Sequence, residues 1–249
     1  MEKKRISIID EARGLCIIFV VIYHLFYSLA MIFNVESIYE SFRIMRIFQP
    51  ILPTLFIFIS GISFQLSRSN IKRGFMLLII SALMTAVLLI FMPSQVIWFG
   101  ILHFLAISHI ICGLLKKPID KIPAIAGLIV CVILFFLTCN IQRGYLGFEG
   151  LWAVDLPSTL YQTYFTVPLG FCPPGFYSAD FFPILPWIFL FIAGTIVGRY
   201  VQNLPDSLIK PHIKPLAFIG RHTLIIYLAH QPIIVGIGYL ILEIKNKSG

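Results

Sequence analysis

The sequence predicts an all-α, polytopic membrane protein, on three observations. Apolar residues make up 59% of the 249-residue chain and charged residues only 12%, against roughly 45–50% and about 25% in ordinary soluble domains. The apolar residues run in stretches of about twenty, the length a helix needs to cross a hydrocarbon core roughly 30 Å thick. No alternating ten-residue pattern of the kind that builds an outer-membrane barrel is present.

Spans are expected near 14–34, 48–66, 74–92, 96–115, 122–138, 182–198 and 216–242, seven in all. The first is preceded by Asp10-x-x-Arg13-Gly14 and carries His24 in an otherwise apolar run. Eleven residues at about 1.5 Å rise set His24 roughly 16 Å along the helix from Arg13, and about 100° per residue returns it to within about 20° of the same direction. One face thus carries a cation at one end and a titratable base further in, and ionisable groups in lipid are costly and usually functional. The third, fourth and fifth spans are joined by Met92-Pro93-Ser94-Gln95 and by Lys116-Lys117-Pro118-Ile119-Asp120-Lys121. Connections this short make antiparallel neighbours.

Residues 139–181 are the one long excursion, 43 residues rich in aromatic side chains and proline. That composition argues against disorder and for a lid or substrate platform on the outer membrane surface, although an interfacial aromatic belt accounts for individual residues. The whole chain, 1–249, is expected to form a single transmembrane domain. Nothing in it suggests a second, soluble one.

Loop charges set the expected orientation. Fourteen lysines and arginines between Lys3 and Arg221 fall on one side, against Arg43, Arg46, Arg143, Lys245 and Lys247 on the other. The N-terminus is therefore expected in the cytoplasm. It is followed by a span too long for a signal h-region, with no cleavage site, so it is expected to be retained. This rule also explains the net charge of +8 better than nucleic acid does, since no basic stripe with interleaved aromatics or binding motif is present. Cys16, Cys112 and Cys131 read as packing residues inside spans. Cys139 and Cys172 share the expected outer side, where a disulfide remains open.

Several blocks carry a resemblance when taken in order. They are Asp10-x-x-Arg13-Gly14 with His24, the run Leu55 to Gly61, Phe99-Gly100-Ile101-Leu102-His103, the run Pro173 to Trp187, and the run Gly220-Arg221-His222 to His230-Gln231-Pro232. Together they resemble the bacterial membrane proteins related to the catalytic domain of heparan-alpha-glucosaminide N-acetyltransferase, over nearly the whole chain. The opening and the His-Gln-Pro ending also resemble the membrane acyltransferases that O-acetylate cell-envelope sugars. The resemblance implies acetyl-CoA as donor from the cytoplasm and a sugar or amino-sugar acceptor outside, in a bacterial cytoplasmic membrane. At position 24 the lysosomal enzyme has Asn, with its proposed catalytic His in the following loop; residues 35–47 here contain no His, so His24 fits the envelope O-acetyltransferases better. N- and O-acetylation both stay open, as does a homodimer.

Acyl transfer needs a base for the acceptor proton and donors for the developing oxyanion. His24 is the expected base, its other reading being a histidine bonded to a neighbouring span. His103, near the start of the fourth span beside Gly100, is a second candidate for the same cavity. Asp180 could orient His24 or bind sugar hydroxyls, or merely cap the sixth span. Trp187, His230 and Gln231 are assigned to the acceptor, with His230 on one face with Thr223 and Tyr227 and Pro232 freeing a backbone carbonyl that can line a cavity. Arg13 and Arg221, with Asp10 holding Arg13, are assigned to the phosphates of the donor; Arg5, Arg68, Lys72 and Arg73 are further cations near helix ends. His222 reads as a phosphate contact or surface residue, and His109 and His212 as structural or solvated. No HxxxH or HExxH pair occurs, and no metal is expected. A transporter or flippase for a small solute or lipid-linked sugar is the competing class, without the internal repeat many carriers show.

Overall fold

The computed structural model describes residues 6–67, 69–201, 205 and 209–248. The charged residues Lys3, Lys4, Arg5 and Arg68 considered above lie outside that set. The protein is all-α and polytopic. Among the described residues, six helical stretches are long and apolar enough to cross a membrane: Ser7–Ile32, Glu36–Leu66, Asn70–Phe91, Ala124–Arg143, Ile184–Val201 and Thr223–Ile244. The chain divides into two compact units, one of residues 1–56 and 204–249, the other of residues 57–203.

In the first unit, α1 (Ser7–Tyr27) ends in a π-helical turn over Ser28–Ile32. A short helix α2 (Tyr39–Met45) follows, and α3 (Ile51–Leu66) begins. The helix α1 starts well before the expected residue 14, so Asp10 and Arg13 lie inside it. The late segment is also divided more finely than expected. Residues Lys214–Arg221 form a separate helix with Pro215 in its first turn, and a second helix, Thr223–Ser248, begins beyond a break at His222. Proline suits the first turn because its missing N–H has no intrahelical partner there.

The second unit contains α4 (Asn70–Phe91), α5 (Ile101–Leu114), α6 (Lys116–Lys121), α7 (Ala124–Thr138), a hairpin of β1 (Tyr145–Phe148) and β2 (Trp152–Asp155), and α8 (Ile184–Val201). The two late helices of the first unit are then α9 (Lys214–Arg221) and α10 (Thr223–Ser248). The fourth expected span shrinks to the 14 residues of α5, about 21 Å at 1.5 Å rise. The reason is pairing. Ala179 donates its N–H to the Val96 carbonyl at 2.9 Å and Phe182 to the Phe99 carbonyl at 2.8 Å, with Phe99 and Phe181 bridged in parallel, which holds 96–100 extended.

The core of the second unit is aromatic. Phe64 and Phe191 are completely buried, and His109 stacks on Phe64 at 5.8 Å and meets Phe191 edge-on at 5.3 Å. The helices α3 and α8 approach here through Gly61 and Gly194, where an added methyl would strike the carbonyls of Phe191 and Phe58. Small residues at such a crossing let apolar helices pack backbone to backbone. The uncovered helix faces are apolar instead: Ile90 of α4 is 72% exposed and Ile125 of α7 is 77% exposed. Lipid in place of water explains that inverted pattern.

The 139–181 excursion is ordered. Phe148 pairs with Trp152 at the tip of the hairpin, Asn140 donates to the Gly147 carbonyl at 2.8 Å, and the Tyr161 hydroxyl donates to the Ile141 carbonyl. Cys139 and Cys172 are free thiols, so the disulfide left open by sequence is not formed; burial pushes the Cys172 thiol up to about 11.

Candidate active site

The site in the first unit is assembled on α1. Near its start Gly14 faces α9, where an added methyl would meet the Leu216 carbonyl, and Gly220 of α9 faces α1 against the Asp10 carbonyl. With the two backbones in contact, α9 carries Arg221 to Asp10. The Asp10 carboxylate lies between two guanidiniums, Arg13 Nη1 at 3.2 Å and Arg221 Nε at 3.7 Å, and its side chain is only 5% exposed. One carboxylate between two arginines leaves a net positive charge, a setting suited to phosphate oxygens. Glu11 accepts the backbone N–H groups of His212 at 2.6 Å and Ile213 at 3.2 Å. Those amides lead into α9, where free N–H groups need a side-chain partner. His212 itself is half exposed, 4.0 Å from Glu11.

Three turns along α1, His24 meets a second histidine. The rings of His24 and His230 lie 4.9 Å apart at 62°. Tyr23 and Tyr27 stand edge-on to His24 at 5.5 and 6.4 Å. His230 is buried, and its Nδ1 lies 2.6 Å from the Tyr227 carbonyl. A carbonyl only accepts, so Nδ1 carries a proton, and in the neutral form of the ring the lone pair is then at Nε2. That Nε2 and the Nδ1 of His24 are buried and carry no hydrogen bond. Gln231 donates Nε2–H to Ser28 Oγ at 3.2 Å, tying α10 to the π-helical turn after α1. Such turns recur at functional sites. An imidazole fixed at one nitrogen and open at the other is the form a general base takes.

Tyr23 and Tyr27, which flank His24, also line a cavity of about 460 Å³ with Tyr39, Arg43 and Arg46 among others; His24 and His230 are not part of that lining. At the surface of α9 the His222 Nδ1 donates to the Phe218 carbonyl at 2.9 Å, and its ring packs on Phe218 at 4.5 Å.

The other expected residues belong to the second unit. His103 of α5 is buried, with Nε2 3.5 Å from Thr85 Oγ1 and its ring stacked on Phe99 at 5.8 Å. Thr85 Oγ1 also lies 2.6 Å from the Ile97 carbonyl, to which it donates. Asp180 Oδ2 accepts the N–H of Ile101 at 3.1 Å. It therefore caps α5, where the expected capping role was for the following span. The capping also explains Gly100: an added methyl would come within 2.6 Å of Asp180 Oδ2. Trp187 packs between Phe135 and Phe182 at 5.7 and 5.2 Å. Among the described residues, no group of three or more His, Cys, Asp or Glu is placed to hold a metal ion.

Residues 5–232 match the family model described as heparan-alpha-glucosaminide N-acetyltransferase, catalytic. The chain belongs to that family. No curated protein and no solved structure matches it. Membership in the heparan-alpha-glucosaminide N-acetyltransferase family implies acetyl transfer in an integral membrane protein.

In this family member the first unit brings together Asp10, Arg13 and Arg221 at one end of α1 and His24, His230 and Gln231 toward the other. Sequence reasoning missed Glu11, which stands next to Asp10 and could have been read as a capping carboxylate. It also missed the pairing of His24 with His230, for which one sequence offers no signal. Arg43 and Arg46 entered only as loop charges, although their spacing sets them on one side of a helical turn.

Proposed function

We propose that this protein moves an acetyl group from acetyl-CoA at the cytoplasmic face to a sugar or amino-sugar acceptor at the outer face, and that chain 1–249 works as one acyltransferase domain. Arg13 and Arg221, held by Asp10, take phosphates of the donor. The pantetheine arm runs along α1 toward His24, about 16 Å from Arg13 by helical rise. The acceptor amine or hydroxyl attacks the thioester carbonyl. A C–N or C–O bond forms, the C–S bond breaks, CoA leaves as thiolate, and the acceptor proton passes to the histidine pair and from it to the leaving sulfur. His230 fits the receiving role through its open Nε2, with His24 alongside; Gln231 completes the acceptor end. His103, buried with Nδ1 carrying no hydrogen bond, is the other base to test, with Asp180 as its α5 support and Trp187 as an acceptor contact.

The observation that carries this reading is the His24–His230 pair, 4.9 Å apart, each ring with a buried nitrogen that carries no hydrogen bond, in otherwise apolar helices. Purified protein given radiolabelled acetyl-CoA and a panel of amino sugars and neutral sugars tests it. Label transferred to a sugar is the expected result and identifies the acceptor. Donor bound without transfer to any sugar or amino sugar removes the proposal.

A further inference from the structure

The hairpin that follows α7 carries on the apolar side of that helix. Ile125, Ile129, Val132 and Phe136 recur at helical spacing along α7, each more than half exposed, and make one apolar stripe. The stripe ends at Phe136, two residues before the helix does, and the Phe148 ring takes it up at 6.2 Å. Phe148 stands opposite Trp152 in the ladder. Leu151 in the turn is 89% exposed, Trp152 is 58% exposed and Val154 is open as well, so an uncovered apolar surface passes from helix to hairpin. From Tyr145 to Val154 the one charged residue is Glu149. The hairpin is also tied in place. Asn140, just past α7, donates to the Gly147 carbonyl at 2.8 Å, and the Trp152 ring comes within 2.7 Å of where a methyl on Gly147 would stand. Only glycine lets the indole lie so close to the strand.

Two features set the depth at which such a surface can meet lipid. A two-stranded sheet has two outer edges, and hydrocarbon offers nothing to the N–H and C=O groups along them. An indole suits the headgroup level, with its apolar body and single N–H donor. We propose that the β1–β2 hairpin is an interfacial anchor: Phe148, Leu151, Trp152 and Val154 sit at the boundary of headgroups and acyl chains in the leaflet at the C-terminal end of α7, with Glu149 toward water. The partner of this surface is therefore phospholipid. An anchor here holds residues 139–181 on the bilayer as a fixed platform, in place of a lid that swings clear of it.

The test follows Trp152 in the full chain reconstituted in phosphatidylcholine nanodiscs. Subtracting the emission of Trp152→Phe from that of wild type isolates this indole while Trp98 and Trp187 stay in place. Lipid brominated at the headgroup end of its acyl chains should quench the difference signal by at least about half, and lipid brominated near the chain methyls less than half as strongly, the profile of an interfacial indole. Aqueous acrylamide should quench it at least about threefold less well than free indole. In Leu151→Glu/Val154→Glu, two changes at exposed positions, quenching by the shallow bromolipid should fall at least about twofold and quenching by acrylamide should rise, because charges resist entry into lipid. A Trp152 that acrylamide reaches like free indole and bromolipid does not quench overturns the proposal and leaves the surface to a water-borne partner. Quenching strongest from the deep bromine overturns the interfacial depth. Leu151→Trp supplies a second reporter should Trp152→Phe disturb the hairpin: its added emission over wild type must show the same shallow profile, and an acrylamide-open, bromolipid-blind signal there also ends the proposal.

Discussion

If His24 and His230 act as one proton-handling unit, removing both should cost little more than removing one. The variants are His24→Ala, His230→Gln and the double replacement. Gln at 230 retains a donor for the Tyr227 carbonyl, 2.6 Å from the native Nδ1, while losing the titratable nitrogen. A positioned general base contributes about 10²–10⁴ in rate. Two independent bases would multiply to about 10⁴–10⁸. Rings only 4.9 Å apart share one acceptor proton, and members of such a unit are strongly non-additive. Each single variant is therefore expected to lose about a hundredfold or more, and the double no more than about tenfold beyond the worse single. Single-turnover transfer from radiolabelled acetyl-CoA measures this, with donor affinity determined separately. Affinity should stay near wild type, because the donor cations lie about three turns away along α1. Multiplicative losses in the double variant would refute the shared unit. An active His24→Ala protein with altered donor affinity would show that His24 shapes the cavity, and would make His103 the base to test next.

Four further outcomes are expected. Arg13→Ala, which removes one of the two guanidiniums beside Asp10, should weaken acetyl-CoA binding by about 1–3 kcal/mol without preventing assembly; wild-type affinity would remove Arg13 from the donor site. Gly220→Ala should destabilise by about 1–3 kcal/mol, because its methyl would meet the Asp10 carbonyl where the same change in an open helix would stabilise; an unchanged thermal melt would show that the helices can separate without loss. Burial pushes the Asp120 carboxyl up, but hydrogen bonds from Lys116 and Gln65 and the charges of Lys116 and Arg199 outweigh it and hold the group below its ordinary value; its stabilisation is therefore complete above the unfolded value and lost as pH falls through the folded one, so Asp120→Asn should flatten the acid limb of stability against pH. Reporters placed after Ser69 and near Gly150 should read cytoplasmic and external; the reverse would turn the donor and acceptor ends around.

The sequence made the helical class legible because membrane spans report themselves through local composition. It did less well wherever a distant partner changes a local rule. The helix α1 begins at Ser7 with two carboxylates in its first turns, and those become tolerable only when Arg221 and the amides of His212 and Ile213 arrive from some 200 positions later. Residues 96–100 read as the start of a helix until Ala179 and Phe182 supply strand-like partners. Asp180 sits four residues before the start of α8, yet its carboxylate serves α5. The candidate site was half visible: Arg13 and His24 share a face by helical arithmetic alone, while the apposition of His230 depends on how α10 packs against α1.

That apposition also separates structural from functional polarity in the first unit. Asp10 has Arg13 and Arg221, Glu11 has two backbone amides, and Ser28 receives Gln231. The fold therefore satisfies polar groups even where long-range partners are needed. Leaving a buried polar atom unbonded costs about 1–3 kcal/mol. Among the described residues of this unit, the buried side-chain atoms that carry no hydrogen bond are His24 Nδ1, His230 Nε2 and Gln231 Oε1. A purely structural polar cluster would spread that cost or remove it with apolar side chains. Concentrating it in two apposed imidazoles and the neighbouring amide oxygen is what the proposed acyl transfer would use, since each open atom can accept a hydrogen bond from a reacting amine or hydroxyl.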